Sequence, residues 1–115
     1  MTKKLVTCEM EVTLNVMGGK WKPMILYILI EEGTKRFGEL KSFIKHISQK
    51  TLTNQLRELE NHNLIERKVY PTIPPKVEYS ITEKGKTLYP ILEAMCTWGE
   101  KNSDDSYEFV KKFCE

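Results

Sequence analysis

Cysteine is scarce and scattered in this chain of 115 residues: Cys8, Cys96 and Cys114 make no C-x-x-C pair. That excludes a zinc ribbon and a secreted disulfide scaffold, and reduced thiols are the expectation. His46 and His62 lack metal-ligand spacing and are expected at the surface, so neither a metal site nor a metal-responsive switch is expected. The apolar stretch that should follow Lys3 and Lys4 in a signal peptide or membrane span is broken by Glu9 and Glu11, which places the chain in the cytoplasm, away from membranes. Gly18-Gly19-Lys20 is a fragment of a phosphate loop without its upstream glycine or its following Ser or Thr. With no H-E-x-x-H and no nucleophile motif either, the chain reads as a non-enzyme without a cofactor. No repeat, low-complexity tract or Ser/Gly-rich linker divides it, and an apolar fraction of 40% suffices for one core, so a single domain over residues 1–115 is expected.

What is present is a clear periodicity. Leu14, Met17, Trp21, Ile25, Leu26 and Leu29 recur at helical spacing, interrupted by Gly18-Gly19 and by Pro23, which suits a first helical turn, so two helices are expected at about 9–18 and 22–31. Gly33 ends the second, and Phe37, Leu40, Phe43 and Ile44 mark a short third helix. Ser48 is a good N-cap for a fourth, with Leu52, Leu56 and Leu59 as its buried stripe and Asn63 as the left-handed residue that stops it. From Leu64 the pattern turns to Leu-Ile-Glu-Arg-Lys-Val-Tyr and then Val-Glu-Tyr-Ser-Ile-Thr around Pro71-Thr-Ile-Pro-Pro-Lys76, a hairpin with a stiff tip running to Thr82. Thr82 caps one last long helix with Leu88, Ile91, Leu92, Met95 and Trp98 on one side and a kink at Pro90. A terminal amphipathic piece carries Tyr107, Val110 and Phe113.

The order helix, helix, short helix, capped helix, hairpin, helix is that of a winged helix-turn-helix, mainly α with a β-hairpin wing (α+β), whose recognition helix enters the major groove of double-stranded DNA. Charge agrees. Residues 34–76 hold nine cations against four anions, a surplus of five, while the rest of the chain is acidic by three, as expected if one face approaches phosphates. Opposite the Leu52, Leu56, Leu59 stripe lie Lys50, Asn54 and Arg57, flanked by Thr53, with Ser48, Gln49 and Thr51 at the first turn. Arg and Lys pair with guanine, Asn and Gln with adenine, and the first-turn N–H groups suit phosphate. Arg67, Lys68 and Lys76 flank the wing tip, where long cations straddle the phosphates beside the adjacent minor groove. Simple solvation also produces a polar helix face, and charges on a hairpin edge also deter strand pairing. A protein-docking module without sequence-specific DNA binding is the alternative, but it calls for apolar anchors on the outward face.

Several motifs resemble the HxlR-type family of winged helix-turn-helix transcriptional regulators: Cys8-x-x-Glu11-x-Thr13-Leu14, Gly19-Lys20-Trp21-Lys22, Arg36-Phe37-x-Glu39-Leu40, Ser48-x-Lys50-x-Leu52-Thr53 and Leu56-Arg57-Glu58-Leu59-Glu60. The likeness continues through Leu64-Ile65-x-Arg67, Tyr70, Pro74-Pro75-x-Val77-Glu78-Tyr79, Thr82-x-x-Gly85, Pro90-x-Leu92 and Trp98, spanning roughly residues 8–99. Glu9 stands where the family usually has proline, and His62-Asn63 replaces the common Asp-Gly. The resemblance implies a homodimer on a pseudo-palindromic operator. Its winged core lies at 22–82, and extra N- and C-terminal dimerisation helices lie at about 8–18 and 83–115. It adds Arg36 to the candidate DNA contacts and makes Cys8 the candidate sensor of oxidants or electrophiles. A helix N-terminus with Lys3 and Lys4 nearby favours a thiolate there, whereas Glu9 and Glu11 oppose it. Cys96, beside an apolar stripe, reads as core or interface, and Cys114 as a terminal thiol. Trp21 and Trp98 read as core rather than as the lining of an effector pocket, and no effector is specified.

Overall fold

The computed structural model describes residues 2–110. It is organised around a helix whose sequence is apolar on every side. In α2 (Lys22–Glu32) Ile25, Leu26, Ile28 and Leu29 are all buried, and Pro23 occupies the first turn, where its missing N–H has no helical partner to lose. The helix stops at Gly33, which takes φ 87°, a region that side chains with a Cβ avoid.

Ahead of it, α1 (Glu9–Met17) ends one residue earlier than the periodicity suggests, and only Met17 is buried. Leu14, part of the helical periodicity, is exposed together with Met10 and Val12. The short α3 (Phe37–Phe43) buries Leu40, and α4 (Gln49–Asn61) buries Leu52, Leu56 and Leu59, the stripe expected of it. Asn63, at φ 61°, turns the chain out of the helix as anticipated.

The hairpin forms from β2 (Ile65–Tyr70) and β3 (Lys76–Ile81), antiparallel from the rung Ile65↔Ile81 to the rung Tyr70↔Lys76. A third strand was not foreseen. The two residues of β1 (Lys35–Arg36) pair with β3, Lys35 opposite Tyr79 and Arg36 opposite Glu78, giving the sheet order β1-β3-β2. Two residues cannot display alternation, so only the pairing partner makes this a strand.

The single last helix expected after Thr82 is two. The Thr82 hydroxyl accepts a 3.0 Å bond from the Gly85 N–H and starts α5 (Glu83–Lys86); α6 (Tyr89–Asn102) then begins anew with Pro90 in its first turn. Pro90 therefore opens a helix and does not kink one, as the missing N–H of proline allows at this position. Gly85 is required here by a close approach: a Cβ would stand 2.3 Å from the Leu64 carbonyl oxygen and 2.6 Å from Ile81 Cδ1. Of the apolar side expected for this region, Leu88 and Leu92 are buried, whereas Ile91, Met95 and Trp98 are exposed, which corrects Trp98 as a core residue. Tyr107 and Val110 are exposed and lie outside any helix; Phe113 falls outside the described residues.

The buried side chains, from Met17 through the helices and sheet to Leu92, make one continuous cluster. α6 is tied to α2 by rings and carboxylates. Tyr27 and Tyr89 stack at 6.1 Å between centroids, and the Tyr89 hydroxyl donates to Glu31 and to Glu93. Those carboxylate hydrogen bonds, Glu31 first, hold the Tyr89 phenol far above its usual range, since ionising it would place three negative charges together.

Candidate nucleic-acid interface

The recognition element is built from its cap outward. Ser48 takes an extended backbone, and its Oγ accepts the Thr51 N–H at 3.1 Å, satisfying one of the four free donors of the first turn. The same Oγ donates to Thr51 Oγ1 at 2.9 Å, and Thr53 Oγ1 donates to the Gln49 carbonyl at 2.8 Å. Three of the expected DNA-contacting side chains, Ser48, Thr51 and Thr53, are therefore already engaged in holding the helix. Lys50, Asn54 and Arg57 are exposed on the side opposite the buried leucines, and Gln49 is exposed at the first turn, so the cationic groups and the Asn54 amide anticipated for base edges share one open face.

Arg36 stands at the junction of β1 and α3, exposed, with its backbone N–H donating to Glu39 at 2.7 Å. Its pairing with Glu78 puts it in the sheet that carries the wing. Arg67 and Lys68 are exposed on β2. Lys76 is more constrained than expected: it is half-buried, its Nζ lies 4.4 Å from the centre of the Tyr70 ring, and it is 3.7 Å from Glu78. Lys68 reaches the same ring from 5.1 Å. Tyr70 thus carries two cations at the end of the paired strands, a cation–π arrangement that holds long flexible side chains in place.

One functional link escaped the sequence reading. Lys22 at the start of α2 is buried, and its Nζ donates to Glu58 Oε1 at 2.5 Å. Glu58 follows Arg57 on α4, so a buried ammonium on the central helix fixes the turn of α4 that carries the outermost base-reading candidate. The only sequence signal was Lys22 within Gly19-Lys20-Trp21-Lys22; nothing there indicates a partner in position 58.

Cys8 belongs to a different element. It is the N-cap of α1, half-buried and free, and makes no side-chain capping bond. In the next turn the Glu11 carboxylate accepts the Thr7 N–H at 3.0 Å, which holds Glu11 below its ordinary value, with Lys4 adding a smaller attraction. Cys96 is half-buried on α6. Cys114 lies outside the described residues. His46 is exposed and His62 half-buried; among the described residues no group of three or more His, Cys, Asp or Glu side chains is placed to hold a metal. Among them, too, no helix is long and apolar enough to cross a membrane.

The family described as HxlR-like helix-turn-helix matches residues 16–107, a stretch containing the whole reading face but not Cys8. An uncharacterised HTH-type transcriptional regulator of Halalkalibacterium halodurans is 55% identical over 93 residues, 81% of this chain and 82% of that protein. Among solved structures, the redox regulator HypR in its oxidised form superposes with a TM-score of 0.80 at 52% identity, covering 84% of this chain and 99% of HypR. The reduced form of the transcriptional regulator YodB from Bacillus subtilis superposes with a TM-score of 0.72 at 36% identity, covering 90% of this chain and all of YodB. The architecture is thus a winged helix-turn-helix of mixed α and β elements, and the chain belongs to the HxlR-like helix-turn-helix family.

Proposed function

We propose that this chain is a DNA-binding transcriptional regulator that acts as a homodimer on a pseudo-palindromic operator. The observation that carries the reading is the open polar face of α4, where Lys50, Asn54 and Arg57 stand exposed opposite the leucine stripe and Gln49 is exposed at the first turn. Base readout belongs to these four side chains; Ser48, Thr51 and Thr53 shape the first turn that offers backbone N–H groups to phosphate. Arg36, Arg67, Lys68 and Lys76 position the protein on the backbone, which adds affinity without sequence information. A protein-docking role is disfavoured because the outward face of α4 has no aromatic anchor.

Dimerisation is supported by what the monomer leaves uncovered. Met10, Val12 and Leu14 on α1, and Ile91, Met95 and Trp98 on α6, are large apolar side chains exposed by about two-fifths or more, from 41% at Ile91 to 73% at Met10. They sit on the two helices outside the winged core at 22–82, so a second copy covers them at a favourable ~25 cal/mol per Å². The whole of 1–115 is then one functional domain with dimerisation elements at about 8–18 and 83–115.

Cys8 is the sensor in this reading: oxidation of its thiol changes operator affinity. HypR is itself described as a redox regulator, and Cys8 is a free thiol on a helix that bears the exposed apolar residues.

The test is selection of random duplexes by the purified protein, followed by sequencing and footprinting. The expected outcome is inverted half-sites about one helical turn or a multiple apart; a single unpaired half-site refutes the dimer, and no enriched sequence refutes the regulator. Gel-shift titration with and without diamide, for the native chain and Cys8→Ser, tests the sensor, and identical responses refute it.

A further inference from the structure

The tip of the wing carries an apolar side chain where the hairpin meets solvent. Ile73 is 102% exposed, more so than in an extended reference chain, and it lies between Pro71 and Pro74-Pro75. The tip is ordered by its own bonds: the Thr72 N–H donates to the Tyr70 carbonyl and the Thr72 hydroxyl to the Pro74 carbonyl, both at 2.8 Å. Three prolines and two local hydrogen bonds leave little freedom to lose on docking. Below it, Lys68 and Lys76 are gathered over Tyr70, and no carboxylate occurs between Val69 and Val77. A rigid, uncharged, apolar point flanked by two cations is complementary to a groove with apolar sugar walls and phosphate rims.

The dimensions agree. Six paired residues per strand at ~3.3 Å each extend about 20 Å from the sheet base, while the grooves of a duplex alternate every ~17 Å, half the ~34 Å helical repeat. With α4 in a major groove, the tip reaches the neighbouring minor groove. We propose that Ile73 is a specificity-determining residue there, favouring A·T over G·C pairs in the sequence flanking each half-site. The chemistry is one of exclusion. The guanine 2-amino group projects from the minor-groove floor as a donor, whereas A·T pairs present only acceptors. Isoleucine pressed over that amino group strips its water and offers no acceptor, at the cost of an unsatisfied donor; over an A·T step it contacts sugars and wedges freely.

The proposal rests on the operator-binding reading, and its test separates the two. Full-length protein is titrated by fluorescence anisotropy against duplexes sharing one selected pair of half-sites and differing only in the flanking pairs: A·T, G·C or inosine·C, inosine being guanine without the 2-amino group. The native chain is expected to bind A·T and inosine·C flanks alike and G·C flanks about fivefold or more weakly. Ile73→Ser, whose fold is checked by circular dichroism, is expected to bind all three equally while still discriminating against altered half-sites. The proposal is overturned if the native chain shows no flank preference, if the preference survives in Ile73→Ser, or if inosine·C behaves as G·C. Failure of the native chain to distinguish selected from random half-sites overturns the operator-binding reading instead.

Discussion

Removing the Glu58 carboxylate should cost this protein more than removing the lysine that pairs with it. Lys22 Nζ and Glu58 Oε1 are 2.5 Å apart, with side-chain exposures of 9% and 52%. Breaking a fully buried pair by deleting one partner costs about 3–5 kcal/mol, because the survivor is left charged and desolvated; fully exposed pairs contribute about 0–1 kcal/mol. This pair is lopsided. In Glu58→Ala the survivor is a buried ammonium, so a loss of about 2 kcal/mol is expected, between the two limits. In Lys22→Met the survivor is a half-exposed carboxylate that water rehydrates, and the methionine fills the vacated channel, so a loss under about 1 kcal/mol is expected. Lys22→Met combined with Glu58→Ala should recover most of the deficit of Glu58→Ala alone. Urea denaturation at fixed protein concentration measures all four corners of this cycle. Operator affinity measured in parallel should fall in Glu58→Ala, since Arg57 rides on the same turn. Equal losses for the two single variants, or additive losses in the double variant, would refute the argument from unequal burial.

Arg57→Ala is expected to weaken binding to selected operators by about 1–3 kcal/mol per half-site while leaving random DNA nearly unaffected, whereas Lys68→Ala should weaken both and lower the salt-dependence slope by about 1; anisotropy titrations over a salt series distinguish them. Gly85→Ala should lower stability by about 2–4 kcal/mol, because the new Cβ meets the Leu64 carbonyl oxygen at 2.3 Å, and an unchanged melting temperature would contradict that contact. Glu11 should titrate below the ordinary glutamate range, because the Thr7 N–H stabilises its charged form. A folded-state value that is depressed means a contribution present above the unfolded value and lost as pH falls through the folded one. Acid should therefore loosen the segment ahead of Cys8, and a carboxyl NMR titration with an ordinary midpoint would contradict it.

Much of the fold is legible along the chain because it is encoded by local chemistry. Ser48 caps, Asn63 turns, Pro23 starts a helix, and Leu52, Leu56 and Leu59 repeat on one face, each through contacts made within a few residues of itself. The hairpin is equally local. Where local signals failed, the deciding partner was distant. Lys35-Arg36 is a strand only because Tyr79 and Glu78 lie beside it. Pro90 starts a helix and does not kink one because the chain turns between α5 and α6 after the close contact at Gly85. Leu14 and Trp98 have apolar spacing yet are exposed, because periodicity marks a helical face and not what covers it.

The candidate interface divides in the same way. Sequence alone determined which side chains face away from the leucine stripe of α4, since helical geometry and burial suffice to point Lys50, Asn54 and Arg57 outward. The bonds that draw Thr51 and Thr53 into their own helix are local as well, whereas the pairing of the strands decided that Lys76 is held by Tyr70 and Glu78. Tertiary structure also decided that a buried lysine 36 residues earlier in the chain anchors the recognition helix. The physical reason is range. Periodicity and capping act over one or two turns, whereas an ion pair, a strand partner or a steric limit on a glycine depends on what folding brings within a few ångströms from elsewhere in the chain.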